Sequence, residues 1–154
     1  METQPAIICP PDLTKRPYHL LVEKVIPLPA EKLFNAWTTQ FDVWFAAPGS
    51  LMTKGEVNSP FFFETYFEGV HHPHYGRYLR IEPNTLIEFT WVTGYGGTEG
   101  AETVVTVELN NHEKGTLLRL HHAGFYTEAT CNSHRDAWPM VLDQLEERMS
   151  RPVD

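Results

Sequence analysis

The sequence predicts an α+β fold in which a strongly curved antiparallel sheet wraps around one long C-terminal helix and leaves a space between them. Three observations carry that expectation. A helical apolar stripe lies near the C-terminus, a series of period-two segments fills the middle of the chain, and the connections between those segments are short.

The 154 residues, with 42% hydrophobic and 12% aromatic content, suit a single globular domain over 18–150 behind a proline-rich tail, 1–17. No apolar run approaches the ~20 residues of a membrane span, and the N-terminus lacks the basic flank and apolar stretch of a signal peptide. The net charge of −8, without a basic run, argues against nucleic-acid binding, because phosphate contacts need clustered Lys and Arg. Cys9 and Cys131 make no disulfide framework, so a reducing, cytoplasmic setting is expected.

The tail holds Pro5, Pro10, Pro11 and Pro17, and Ala6-Ile7-Ile8 is its one apolar anchor to the body. Tyr18 to Ile26 reads as a strand stopped by Pro27. Pro29 stands where a first helical turn tolerates proline, and Leu33, Phe34 and Trp37 give that helix a buried face. A second short helical piece follows, with Phe41, Trp44 and Phe45 on one side and Pro48-Gly49 as its break.

From Leu51 to Ala123 the pattern is one of strands. Pro60 to Glu68 sets Phe61, Phe63, Thr65 and Phe67 against Phe62, Glu64 and Tyr66. Tyr75 to Ile81 sets Tyr75, Arg77, Leu79 and Ile81 on one face. Ile87, Phe89 and Trp91 share a face of the next segment, Thr103 to Leu109 is the cleanest alternation, and Leu117 to Ala123 closes the sheet. The order read from pattern is a strand, two short helices, about six strands and one long helix. That last helix runs from its N-cap Thr127 to Met149, with Trp138, Leu142, Leu145 and Met149 on one face and Val141 widening the stripe. Pro139 deletes one backbone hydrogen bond, so a kink is expected in a helix roughly 33 Å long.

Three segments resemble a known family. Ala36-Trp37-Thr38 with Trp44 is similar to an "AWT … W" signature, and Gly76 to Pro83 to a "GxxxxIxP" hairpin. His122-Ala123-Gly124-Phe125 with Ala137-Trp138 and Leu142-Asp143-Gln144-Leu145 resembles an "HxGF … GWxxxLxxL" ending. Together they resemble the START-like (SRPBCC) superfamily, in the branch of the C-terminal domain of the heat-shock protein 90 ATPase activator, over residues ~18–150. The resemblance implies a helix-grip fold around an internal cavity that takes lipids, polyketides or flavonoid-like aromatics. Two departures stand out. Asn58-Ser59-Pro60-Phe61 replaces the charged residue and Gly-Gly pair that open the third strand, and Ala137 replaces a glycine.

Candidate ligand contacts are the aromatic residues Trp44, Phe45, Phe61, Phe63, Tyr66, Phe89, Trp91 and Trp138, with Leu142 beside them, since rings supply apolar area to pockets. Most such rings are core on ordinary expectation. Arg77 either faces inward, needing Glu64, Glu88 or an anionic ligand group, or is a surface arginine, which is the commoner case. His122 either orients the turn into the last helix or touches a ligand. His71-His72-Pro73-His74 reads as a solvated hairpin turn more readily than as a metal site, because adjacent side chains in an extended chain point apart. Cys131 lies near a helix start, where the dipole can lower a thiol pKa, although an inert thiol is the commoner outcome.

No nucleophile motif, phosphate-binding glycine loop or His-Glu-x-x-His zinc site is present, so no catalytic residue, metal or cofactor is expected. The leading expectation is a binding protein for an apolar or aromatic small molecule, oriented by one or two of Tyr66, Arg77 and His122. An aromatase or cyclase-type enzyme using the same cavity is the alternative. A protein-interaction or co-chaperone-like module is the third, weakened because no activator-type domain precedes residue 18. The Gly-rich segment 94–100 and the tail are candidate docking places for a partner chain, a second copy included.

Overall fold

In the computed structural model, which describes residues 6, 7 and 9–151, six strands form one antiparallel sheet in the order β1-β6-β5-β4-β3-β2. The elements are β1 (Tyr18–Ile26), α1 (Ala30–Thr38), α2 (Phe41–Trp44), β2 (Pro60–Phe67), β3 (Val70–Glu82), β4 (Leu86–Trp91), β5 (Thr103–His112), β6 (Gly115–Phe125) and α3 (Glu128–Met149). Five strands, not about six, follow the short helices. The first and last strands pair with each other, so β1 closes against β6 and the curved sheet wraps α3. This is the helix-grip arrangement.

The stripe on α3 buries Trp138, Leu142, Leu145 and Met149, with Cys131 extending it toward the N-terminus. Thr127 caps the helix by accepting the Thr130 N–H at 3.1 Å. Helix geometry continues through Pro139. Pro139 is exposed, so the carbonyl it leaves without a donor lies on the side where water can supply one. Polar bonds fix the helix to its neighbours: Lys24 reaches Asp143 at 2.5 Å, and Gln144 Nε2 and Arg148 donate to the Trp44 carbonyl at 2.7 and 3.1 Å.

Two features of β3 depart from strict alternation. The strand begins at Val70, so His71 to His74 lie within it and not in a turn. The turn is Glu68-Gly69, both with positive φ (51° and 79°), the two-residue geometry that matches the twist of a hairpin. A register shift between Tyr78 and Arg80 then breaks the period. Tyr78 and Leu79 are both buried as a result, and Arg77 no longer shares one uninterrupted face with Leu79 and Ile81.

Proline within β3 has a positional reason. Tyr75 exchanges both backbone bonds with Val92, at 3.0 and 2.9 Å, so a residue two positions earlier directs its N–H to the same side. Pro73 is that residue, and it lies beyond the end of β4, where no strand waits for a donor.

The inner face of the sheet is packed with rings. Trp37, Phe41, Trp44, Phe63, Tyr78 and Phe89 are essentially inaccessible. Phe41 stacks on Phe63 at 5.0 Å, and Trp37 meets Trp44 edge-on at 5.0 Å. Gly76 makes that packing possible: a Cβ there would lie 2.1 Å from the Thr90 carbonyl oxygen and 2.3 Å from the Phe61 ring.

Before β1, Arg16 donates to the carbonyls of Gly124 and Glu102 at 2.8 and 2.7 Å, and Asn58 donates to the Ala6 carbonyl at 2.9 Å. Of the Ala6-Ile7-Ile8 anchor, Ile8 lies outside the described residues, as does Pro5. Among the described residues, no helix is long and apolar enough to cross a membrane.

Candidate functional site

A cleft of about 810 Å³ opens where α3 leaves the sheet. One wall is the His134–Val141 stretch of α3, a second is the end of the β2–β3 hairpin, and the third is Thr93–Gly97. Phe45, Trp91 and Trp138 form apolar surface inside it. No Asp, Glu, Lys or Arg is among the described residues that line it.

The loop wall is held by its own side chains. The Thr93 N–H donates to Thr98 Oγ1 at 2.8 Å, and the Thr98 N–H donates to Thr93 Oγ1 at 2.7 Å. A Cβ at Gly97 would lie 2.0 Å from Thr93 Oγ1, so a side chain there would displace the threonine from this pair. This reciprocal pair gives a glycine-rich segment a defined shape despite its backbone freedom.

Behind the cleft lies a buried chain of hydrogen bonds. Trp138 Nε1 donates to His122 Nδ1 at 3.1 Å, so that nitrogen carries no proton. His122 Nε2 is therefore the protonated one, and it donates to Thr103 Oγ1 at 2.7 Å; Thr103 in turn donates to the Trp91 carbonyl at 2.5 Å. Burial holds His122 well below the ordinary imidazole range, with His134 and His121 adding to the effect. Both nitrogens are committed, so this imidazole braces Trp138 and Trp91. It ties down the middle of α3, not the turn before it.

Four imidazoles line the cleft itself, those of His71, His72, His74 and His134, and the last two are anchored to backbone carbonyls. His74 Nδ1 lies 3.0 Å from the His72 carbonyl, and His134 Nδ1 lies 2.8 Å from the Thr130 carbonyl. A carbonyl only accepts, so each Nδ1 carries the proton and each Nε2 presents a lone pair. Neither Nε2 is hydrogen-bonded among the described residues. Burial pushes His74 down to about 4, against a smaller opposing effect of its bond to His72, and burial also lowers His134. His74 is stacked on Phe63 at 4.9 Å, with Trp91 edge-on at 5.0 Å.

The candidate ligand contacts divide by place. Phe45, Trp91 and Trp138 line the cleft, whereas Trp44, Phe63, Phe89 and Leu142 are packed in the core behind it. His122 is in the core with them. Phe61 lies beside a separate groove of about 740 Å³ along the sheet edge, with Lys54 and Glu56 on its walls. Tyr66 is 61% exposed and lines a hollow with Phe45 and Arg148. Arg77 pairs with Glu102 at 3.3 Å and donates to the Cys9 carbonyl, so its acceptors are neither Glu64 nor Glu88.

His74, read from the sequence only as part of a turn or metal cluster, and His134, not singled out there, are the cleft imidazoles whose place sequence reasoning missed. The pairing of His74 with Phe63, an inward residue of β2, is the signal that would have found the first. Among the described residues, no group of three or more His, Cys, Asp or Glu side chains is placed to hold a metal ion. Cys131 departs from the dipole argument: burial raises its pKa, against the smaller opposing pull of Arg135.

Fold and sheet order define a START-like (SRPBCC) helix-grip protein. Residues 27–150 match the model of the Activator of Hsp90 ATPase homolog 1-like protein family, and the chain belongs to that family. Comparison with curated proteins finds no match. Among solved structures, protein MLL2253 from Mesorhizobium loti is similar over 89% of this chain and 100% of its own, at 24% identity and a TM-score of 0.72. CalU16 from Micromonospora echinospora is similar at 22% identity and a TM-score of 0.64, covering 86% of this chain and 76% of its own. The Aha1 dimer from Colwellia psychrerythraea is similar at 18% identity and a TM-score of 0.64, covering 86% of this chain and 96% of its own.

Proposed function

We propose that this protein binds an apolar or aromatic small molecule in the cleft between α3, the β2–β3 hairpin and residues 93–97. The observation that carries the reading is the cleft itself: about 810 Å³, walled by Phe45, Trp91 and Trp138, with no Asp, Glu, Lys or Arg among the described residues that line it. A pocket of that size and lining suits a ligand of drug-like dimensions, with apolar burial supplying most of the affinity. The ring-filled core behind it supplies rigidity and leaves the cleft to one side.

The test is native mass spectrometry of the purified protein, followed by solvent extraction and identification of what is released. A stoichiometric apolar compound is expected. If nothing is released, and no aromatic probe quenches tryptophan fluorescence, the reading fails.

A second reading has its own observation. Phe67, Val70 and Tyr95 line the mouth of the cleft and are 65%, 53% and 99% exposed, and apolar area of that kind also suits contact with another protein chain. The Aha1 relative from Colwellia psychrerythraea is described as a dimer, which favours a second copy as that chain. Sedimentation at two concentrations distinguishes a self-associating protein from a monomeric binder.

A further inference from the structure

We infer that the cleft selects an uncharged aromatic ligand bearing a hydroxyl or N–H donor, held through Nε2 of His74 or Nε2 of His134, and discriminates against carboxylates such as fatty acids. The inference rests on the small-molecule reading above and names its ligand class.

The hydrogen bonds each ring already makes set what it can offer a ligand. Both imidazoles donate from Nδ1 to backbone carbonyls of their own strand or helix, His72 and Thr130 respectively. That bond fixes each tautomer and leaves an acceptor as the polar feature each ring offers the cleft. A ligand donor satisfies such an acceptor. A carboxylate has no proton to give and would face two lone pairs.

Charge acts in the same direction. No Lys or Arg is among the described residues that line the cleft, so an anion entering it would lose hydration without gaining a permanent counter-ion. Part of the loop's backbone donor set is already committed within the loop. The N–H groups of Gly97 and Glu99 both donate to the Gly94 carbonyl, and that of Thr98 to Thr93 Oγ1. The two imidazoles also stay neutral near pH 7, since burial depresses both.

The aromatic preference comes from the setting of His74. Its ring is sandwiched among Phe63, Trp91 and Phe45, the last edge-on at 5.5 Å, so a planar ligand group meets ring faces and edges as it reaches Nε2.

The experiment compares three probes of one shape, p-phenylphenol, biphenyl and p-phenylbenzoate, by tryptophan-fluorescence titration and calorimetry on the full chain at neutral pH. The phenol is expected to bind roughly fivefold tighter than biphenyl, as one net hydrogen bond allows, and the benzoate at least about tenfold more weakly than the phenol. Imidazole nitrogen NMR is expected to show an Nε2 resonance that moves with the phenol and stays put with biphenyl. His74→Phe keeps an aromatic ring in the stack and deletes the acceptor, so it should bring the ratio of phenol to biphenyl affinity close to one. His134→Phe provides an independent check should the first variant fold poorly. Equal binding of phenol and biphenyl, or benzoate binding as tight as phenol, overturns the ligand class and leaves the small-molecule reading standing. No binding by any probe overturns both.

Discussion

The indole N–H of Trp138 meets Nδ1 of His122 at 3.1 Å, joining the middle of α3 to the inner face of β6. The same imidazole holds Thr103 on β5 from its other side at 2.7 Å. Replacing His122 by Leu leaves the buried Trp138 Nε1 without its acceptor and frees Thr103 from one partner. The expected cost is about 2–4 kcal/mol, read as a lower urea midpoint with an unchanged m-value. A loss below about 0.5 kcal/mol would sink the bracing role.

The buried histidines set an acid limit on stability. His74 titrates near 4 in the folded protein against an ordinary value of 6.5, so between those values the unfolded chain binds the extra proton. Stability is therefore fully present above pH ~6.5 and is lost progressively toward pH ~4, with about 3 kcal/mol at stake for this group. His122 and His134, both lowered, act in the same direction. Urea unfolding at several pH values in that window should give a falling ΔG, and His74→Phe should flatten the slope.

Gly76→Ala tests the close approach of β3 to its neighbours. The new methyl would lie 2.1 Å from a backbone oxygen, which cannot rotate away as a side-chain tip can. A loss of about 3 kcal/mol or more is expected, or failure to accumulate folded protein. Thermal unfolding close to the parent midpoint would refute the packing argument.

Thr98→Val acts on the wall of the cleft. It removes the acceptor of the Thr93 N–H and keeps the volume of the side chain. Global stability should fall by about 1–2 kcal/mol, while amide exchange in residues 93–97 rises and aromatic probes bind more weakly. Unaltered exchange in that segment would show that the threonine pair is not what shapes it.

The Lys24–Asp143 pair gives a contrasting expectation. Asp143 is 69% exposed on its side chain, so Lys24→Met should change stability by less than about 1 kcal/mol, and less still at high salt. A larger change in the urea midpoint would assign this contact a docking role for α3.

The sequence pattern reached the architecture because its strongest signals are local. The 4-3-4 spacing from Trp138 to Met149 requires one buried helix face, and the alternation in Thr103–Leu109 requires one buried sheet face. Neither depends on knowing the partner. The cleft was less legible because its residues become neighbours through long-range register. His74 is inward because it pairs with Phe63, and the shift at Leu79 separates Arg77 from the residues its spacing would join. Nothing in the string His71-His72-Pro73-His74 shows where β4 ends, so a strand interior resembled a turn. The aromatic residues stand out in the sequence as a set, but their division between core and cleft follows from how α2 and α3 meet over the sheet.

Pro73 bears on the behaviour of the protein in a crowded solution. The hairpin projects past its neighbouring strand, and a bare ladder there would invite the same segment of another molecule to dock and propagate. A ring nitrogen without hydrogen interrupts that ladder at one rung. The hairpin can therefore display apolar side chains at the rim of a binding site with a built-in guard against fibrillar assembly.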